Sequence, residues 1–469
     1  MLAILVFIFL LSMLTVSLLF RSKGDETATF ASSGSEQAWA TALSGVEVAL
    51  QAAAGITPGS VGWQDDPAMF RQRQVYDDGA DQWYFTVYSP TGSDDLVEIR
   101  YGLSDQASKL NLNHPGRADP TKIPRVTQAM VDALHQYMGQ VGTNVALAPL
   151  IQPEASEEGV LGDAVRVTGS STNANRTLAT LGELLLVPGF TWPLLHGEDA
   201  NMNGRLDANE DDGDETFPPD NHDGRLDHGM AQYFTVESYE PDRNGAGGVR
   251  VNLNNAKAAL PPGDFPAAFT NYLSALQAAK QKIEHPADLL EATARVKNPQ
   301  GVEVEVPSGI TKEELPRILD LFTADDEGRH DGLINLNTAS ATVLATLPDV
   351  DVALAESIVS TRTGLGPEKR TTPAWLYQEG LVDAPKFKAL ARSLVSRSYQ
   401  YHFHVIGYGL PSGRYRVLEV VVDVASQPGR ITYLRDITRL GLPFQLKADP
   451  TATTGEGASI RRKRSPYHG

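Results

Sequence analysis

The first twenty residues, MLAILVFIFLLSMLTVSLLF, contain no charged residue and no proline. As an α-helix this run would be about 30 Å long, which matches the hydrocarbon core of a bilayer. Arg21 and Lys23 end the run, and it lacks the basic leader and small-residue cleavage site of a secretory signal. We therefore predict a retained transmembrane helix over residues 1–20.

The composition limits what the remaining chain can bind. Among 469 residues there are 40 lysines and arginines against 58 aspartates and glutamates, so the net charge is -18. Such a chain repels nucleic acid unless its basic residues gather on one face. The densest basic run, residues 461–464, lies in a polar tail (447–469) that we predict to be disordered. The chain has no cysteine, which excludes disulfides and thiolate metal sites.

A helix is predicted to continue past the membrane over residues 21–55. Leu43, Val46, Leu50 and Ala53 recur at helical spacing and are predicted to line its inner side. Strand patterns follow at both ends of the chain, with helical patterns between them. The predicted strands are 82–89, 96–103, 398–409, 415–426 and 430–440.

This order of elements predicts the α+β class. Strands near both ends of the chain are expected to form one domain, made of residues 56–105 and 396–446. Residues 106–395 would then be an inserted helical domain. An apolar-Asn-Leu-Asn element occurs three times, at 110–113, 251–254 and 334–337. Either these are three similar turns, or a helical unit is duplicated.

The segment DANMNGRLDANE, residues 199–210, fits a twelve-residue calcium loop, with Gly204 at the sharp turn. The predicted ligands are Asp199, Asn201, Asn203, the carbonyl group of Arg205, Asp207 and Glu210. The next residues do not predict an exiting helix. We therefore predict a structural calcium ion in an EF-like loop, within an acidic segment at 197–230.

A second segment, DNHDGRLDHG at 220–229, repeats part of this pattern. Pro219 and Met230 stand at its outer ligand positions and cannot supply carboxylates. Either Asp220, Asp223 and Asp227 hold a second calcium ion, with Asp220 as a substitute ligand, or the segment is a solvated acidic loop. The pattern leaves both interpretations open.

Residues 334–362 are typical of a helix-hairpin-helix unit. DNA-binding versions hold phosphate with exposed backbone amides in a glycine-containing hairpin. Here Asp349 and Asp351 stand where glycines are expected, and carboxylates repel phosphate. We therefore predict that the unit serves packing or protein contact and that nucleic acid is not a partner.

Enzyme motifs are not found: the sequence has no G-x-S-x-G, no phosphate-binding loop and no H-E-x-x-H. His402 and His404 share one face of a predicted strand, but two histidines alone do not define a zinc site. The chain is therefore predicted not to be an enzyme.

In their order along the chain, these features resemble the minor pseudopilin K family of bacterial type II secretion systems. The apolar N-terminal helix and the early β hairpin belong to the resemblance. So do GLSDQASKLNLN (102–113), RVNLN (250–254), LINLNTASATVLATLP (333–348) and late strands beginning near SRSYQYHFHV (396–405).

The resemblance implies a pilin-like α+β domain interrupted by SAM-like helical units. It implies a tip subunit of a short periplasmic fibre, joined to the minor pseudopilins I and J above the major pseudopilin G. Prepilin peptidase would process the chain, with Met1 as the first mature residue. Most pseudopilins carry a glutamate at the fifth mature position that contacts the subunit above. Leu5 stands there in this chain, which fits a subunit with nothing above it.

The family's location would be the bacterial inner membrane, crossed once, with the globular domain in the periplasm. Charge bias alone does not fix this orientation, because acidic residues directly follow Arg21 and Lys23. Two other interpretations remain open. One is a membrane-anchored DNA-uptake protein, and the other is a calcium-dependent surface adhesion or scaffold module.

Overall fold

The computed structural model describes residues 2–90, 99–139, 176–261, 263–297 and 302–446. Within the first helix it describes the side chains of residues 13–23 and of residues from 32 onward. The predicted disordered tail over 447–469 lies outside the described residues. So do residues 96–98 of one predicted strand.

Ten α-helices occur in the described part of the chain. They are α1 (Leu2–Ala54), α2 (Pro67–Phe70), α3 (Gln128–Gly139), α4 (Trp192–His196), α5 (Ala267–Ala278), α6 (Leu315–Leu321), α7 (Ala341–Leu344), α8 (Val352–Thr363), α9 (Trp375–Gln378) and α10 (Ala384–Ala391).

The described part of the chain also contains seventeen β-strands. They are β1 (Arg73–Asp77), β2 (Gln82–Pro90), β3 (Ile99–Arg100), β4 (Ser104–Asp105), β5 (Leu110–Asn111), β6 (Phe234–Thr235), β7 (Tyr239–Pro241), β8 (Val251–Asn252), β9 (Thr293–Lys297), β10 (Glu303–Pro307), β11 (Phe322–Thr323), β12 (Arg329–Asp331), β13 (Ile334–Asn335), β14 (Leu394–Val395), β15 (Gln400–Leu410), β16 (Tyr415–Asp423) and β17 (Arg430–Asp436).

The largest sheet combines strands from the two ends of the chain. Its order is β1-β2-β15-β16-β17, with β3 paired to β2 and β4 paired to β15. All of these pairs are antiparallel. Four of the five predicted strands are confirmed as β2, β15, β16 and β17, and the described part of the predicted strand at 96–103 contains β3. The α+β class is confirmed.

Helix α1 packs its second half on one face of this sheet. The buried side of the helix consists of small residues: Ala38, Ala42, Val46, Ala49 and Ala53. Phe403 and Val405 on β15 belong to the same core. The prediction for Leu43 was wrong, because its side chain is 38% exposed. Only small residues fit on this side of the helix, because the helix backbone lies close to the strands.

Among the residues that the structure describes, no helix is both long enough and apolar enough to cross a membrane. The predicted transmembrane helix over residues 1–20 includes residues 1–12, whose side chains lie outside the described ones.

The three apolar-Asn-Leu-Asn elements adopt the same structure. Each begins with a two-residue strand that pairs in parallel with a strand later in the chain: β5 with β6, β8 with β11, and β13 with β14. A parallel pair requires a crossover, and the described residues of each crossover include helical turns. The three elements therefore begin three units that share one plan in the described part of this segment. The likeness extends beyond the turns themselves.

Candidate functional site

The first predicted calcium loop follows α4 and ends in one 3₁₀-helical turn at Ala208–Glu210. Gly204 has φ +69°, the left-handed conformation that position six of such a loop requires. The loop thus turns where the sequence predicts it.

Backbone amides hold the first and last predicted ligands of this loop. The Asp199 carboxylate accepts hydrogen bonds from the amides of Asn203 and Gly204, both at 2.9 Å. The Glu210 carboxylate accepts from the amides of Ala200 and Asp207, both at 3.0 Å. Asp199 is 7% exposed and Glu210 is fully buried. Two carboxylates are therefore fixed in the interior of one loop.

The predicted middle ligands of the loop bond to one another. Asp207 Oδ2 accepts hydrogen bonds from Nδ2 of Asn201 at 2.9 Å and of Asn203 at 2.8 Å. The Oδ1 atoms of both asparagines accept one backbone amide each. A carbonyl oxygen has two lone pairs, so it can keep that bond and still ligate a cation. The structure thus places the side chains of these predicted ligands within one loop.

The electrostatics of the loop favour a cation. Burial, together with the nearby Glu210 carboxylate, raises the pKa of Asp199 to about 6, although backbone amides oppose the change. Two buried carboxylates in one loop repel each other when both are ionised. A calcium ion would cancel this repulsion with oxygen ligands of the type it prefers, so the residues present fit the ion.

The second loop repeats the hydrogen bonding of the first. Gly224 has φ +72°. Asn221 Oδ1 accepts from the Asp223 amide and Asp223 Oδ1 accepts from the Arg225 amide, both at 2.9 Å. Met230, at the last ligand position, is buried in an apolar core and cannot ligate. The middle of a calcium loop is present here, but its own outer ligands are missing.

Glu198 and Asp211 take the two missing positions. Asp211 Oδ1 accepts from the Gly224 amide at 3.0 Å, as Asp199 does from Gly204 in the first loop. The Glu198 carboxylate accepts from the amides of Asn221 at 3.3 Å and Asp227 at 3.2 Å. Glu210 makes the equivalent of the Asp227 bond in the first loop, where it accepts from the Asp207 amide. Sequence reasoning missed both residues, although they directly precede and follow the first loop.

Asp220 and Asp227 make other contacts as well. Asp220 accepts hydrogen bonds from the amides of Asp212, Gly213 and His222, at 2.8 to 2.9 Å. One of its carboxylate oxygens also lies within 4.8 Å of a ligand atom of Asp211 and of His222, so these three side chains could hold a metal ion together. Asp227 pairs with the guanidinium of Arg125 at 3.3 Å. A cavity of about 260 Å³ beside Asn221, Asp223 and Asp227 exposes the second loop to solvent.

The helix-hairpin-helix prediction corresponds to α7 and α8, which pack together. Asp349 has φ +57°, so it adopts the left-handed backbone conformation that glycine usually takes in such a hairpin. Asp351 caps α8, and its Oδ1 accepts from the Leu354 amide at 2.8 Å. This carboxylate therefore accepts a hydrogen bond from a backbone amide at the N-terminus of α8, where a DNA-binding hairpin would hold a phosphate.

A lysine from a distant segment closes the other side of the hairpin. Lys122 Nζ donates to the carbonyl groups of Ala345 at 2.8 Å and Leu347 at 3.1 Å. This cation is directed at the protein's own backbone, so this side of the hairpin is bonded within the chain.

No protein-family model matches the chain, and no curated protein matches it.

Proposed function

We propose that this chain is a non-enzymatic, calcium-stabilised minor pseudopilin at the tip of a type II secretion pseudopilus. The observation that carries the proposal is the packing of α1 on an antiparallel sheet built from both ends of the chain. A long N-terminal helix on such a sheet is the plan of a pilin-like domain. The three repeated units lie between its two halves in sequence and would be the SAM-like insertion.

The exposed stretch of α1 over residues 13–20 supports assembly. Large apolar side chains at 13–20 are 49% to 75% exposed: Met13, Leu14, Val16, Leu18, Leu19 and Phe20. A contiguous apolar surface of this kind needs lipid or a partner to cover it. In the proposed role the bacterial inner membrane covers it first, and neighbouring subunits cover it in the fibre. The partners would be the minor pseudopilins I and J and the major pseudopilin.

The hairpin argues against the DNA-uptake alternative. Its helix N-terminus is capped by Asp351 within the chain, and the chain carries a net charge of -18. A gel-shift with duplex DNA at physiological salt should show no complex. A stable complex would favour the DNA-uptake protein instead.

The decisive experiment recovers the protein from membranes of its own host and determines its N-terminus by mass spectrometry. The proposal expects an N-methylated Met1, released by prepilin peptidase, and copurification of other minor pseudopilins. Deletion of the gene should stop secretion of type II substrates, with release of other secreted proteins as the control. An unprocessed N-terminus together with normal secretion would overturn the proposal.

A separate experiment tests calcium. Titration of the metal-free protein should show two calcium ions, held by the two loops. Glu198→Gln should remove the second ion and keep the first, and Glu210→Gln should remove the first. The control is Glu215→Gln, because Glu215 is exposed within the same segment. Binding that none of the loop variants alters would place calcium elsewhere.

A further inference from the structure

The sheet face opposite α1 carries two histidines and a glutamate at its centre. Side chains alternate along β15: Tyr401 and Phe403 belong to the core beneath α1, so His402 and His404 lie on the other face. In the antiparallel register His404 stands directly opposite Glu419 on β16. Three residues with metal-binding side chains thus share one face of two central strands.

The distances suit a common ligand. One ligand atom from each of the three side chains lies within 4.8 Å of the other two. His402 Nε2 is 3.2 Å from Glu419 Oε1, and the two imidazole rings have centroids 5.2 Å apart. In a tetrahedral zinc site with bonds of about 2.0 Å, ligand atoms are roughly 3.3 Å apart. Small side-chain rotations would close the remaining gap.

We propose that His402, His404 and Glu419 form a zinc site with three protein ligands and one open coordination position. Two imidazoles and a carboxylate are the ligand types that zinc takes at such sites. Calcium requires six or more oxygen ligands, so it should not compete here. This proposal is independent of the calcium loops.

The surroundings support the ligands. Tyr433 Oη donates to Glu419 Oε2 at 3.4 Å, which leaves Oε1 directed at His402. Tyr88 packs edge-on against His404, with ring centroids 5.2 Å apart, and Phe444 packs on Tyr88. Such outer contacts fix the orientation of metal ligands. The side chains of His402 and Glu419 are 17% and 25% exposed, so solvent can reach the open position.

Two other clusters in the described residues combine acidic side chains with a histidine: Asp211–Asp220–His222 and Asp325–Glu327–His330. Each has a single imidazole, and each lies largely outside regular strands. The cluster on β15 and β16 is the stronger zinc candidate because paired strands hold its ligands. One charge opposes the ion, since Lys109 acts electrostatically on Glu419 and His404.

The test uses the full chain in detergent, stripped of metal and then supplied with excess calcium so that the acidic loops are filled. Zinc affinity is measured by competition with a chromophoric chelator, and Co²⁺ serves as a spectroscopic probe. We expect one zinc per chain and a tetrahedral Co²⁺ absorption spectrum. His402→Gln and Glu419→Gln should abolish both signals. The control is His222→Gln, which should keep both.

Two further variants keep the test informative if a ligand variant fails to fold. Tyr433→Phe should weaken zinc binding by roughly 10- to 100-fold, as expected when an outer hydrogen bond to a ligand is removed. Lys109→Met should tighten binding, because it removes a repelling charge. Zinc binding that is absent in the wild-type chain, or that is lost in His222→Gln and retained in His402→Gln, would overturn the proposal.

Discussion

The asparagines that end the three repeated elements each tie distant backbone segments together. Asn254 Nδ2 donates to the carbonyl groups of Ile283 at 2.8 Å and Ala324 at 2.7 Å, and its Oδ1 accepts from the Ile283 amide. Asn113 and Asn337 make the same pair of carbonyl contacts in their own units. The sequence reveals the repeated asparagines, but their bonding partners lie up to 123 residues away along the chain and cannot be identified from local patterns.

Asn254→Asp should destabilise the fold. A carboxylate cannot donate to the two carbonyl groups and would lie beside them with a negative charge, so the cost should be at least about 2 kcal/mol. The control is the neighbouring Asn255→Asp. Asn255 is exposed, and its side-chain oxygen accepts a bond from the Lys257 amide, which an aspartate side chain can also do. Urea unfolding measures both variants, and equal stability of the two would contradict the role given to Asn254.

His285 should make stability depend on pH. Burial lowers the pKa of His285 to about 4, against an ordinary value of 6.5, although Asp288 opposes the change. The neutral ring accepts a hydrogen bond from the Ala287 amide at 3.1 Å. In the unfolded chain the ring binds a proton more readily. Its contribution is therefore fully present above pH 6.5 and is lost as the pH falls towards 4.

The size of this effect is bounded by the two pKa values, at roughly 3 kcal/mol. His285→Asn keeps a residue that can cap the turn but does not titrate. Its free energy of unfolding should fall less than that of the wild-type protein between pH 7 and pH 4. His135→Asn, at an exposed histidine, is the control. Identical pH profiles for wild type and His285→Asn would refute the assignment.

At the scale of elements, α1 and β15 meet through glycine. A Cβ atom on Gly407 would lie 2.3 Å from the carbonyl oxygen of Ala38 and 2.3 Å from the amide nitrogen of Ala42. Helical spacing predicted which side of α1 faces inward for Val46 and Ala53, but it placed the large Leu43 there as well. Hydrophobicity alone does not show how closely two backbones approach, and that distance decides which residue sizes fit.

Gly407→Ala should therefore separate α1 from the sheet. The backbone of α1 cannot move aside locally, so we expect a loss of roughly 1–3 kcal/mol, typical of overpacking. Gly45→Ala should cost less, since the atoms nearest to its Cβ would belong to the side chains of Val405 and Phe85, not to backbone. Gly62→Ala is the control, because nothing lies within 4 Å of its Cβ position. Thermal unfolding should rank the variants in this order, and an unaffected Gly407→Ala would contradict the packing.

The acidic loops show a different limit of sequence reasoning. Spacing within twelve residues selects the side chains that the first loop gathers, because all of them are local in sequence. The second loop takes Glu198 and Asp211 from outside its own segment. Only the fold brings these carboxylates to the amides of the second loop, so spacing within that loop could not identify them.

Across the whole molecule, a buried ion-pair network joins the repeated units to the large sheet. Glu240 on β7 makes a double contact with the guanidinium of Arg250, at 3.1 and 3.2 Å. It also pairs with Arg397, just before β15, at 3.2 Å. Arg397 pairs in turn with Asp320 on α6 at 3.1 Å. The side chains of Glu240, Arg250 and Arg397 are all less than 10% exposed.

Glu240→Ala should be among the most damaging single changes in this chain. It leaves Arg250 and Arg397 buried with incomplete pairing, and removal of one member of a buried ion pair costs roughly 3–5 kcal/mol. Asp242 and Asp320 still pair with the two cations, so the lower end of that range is expected.

The control is Glu305→Ala. The Arg295–Glu305 pair is also 3.1 Å apart, but both side chains are more than 60% exposed, so its loss should cost less than about 1 kcal/mol. Raising the salt concentration should reduce the cost of Glu305→Ala and leave that of Glu240→Ala nearly unchanged, because solvent ions screen exposed pairs and not buried ones. If both costs responded equally to salt, Glu240 would not be a buried link between the repeated units and the sheet.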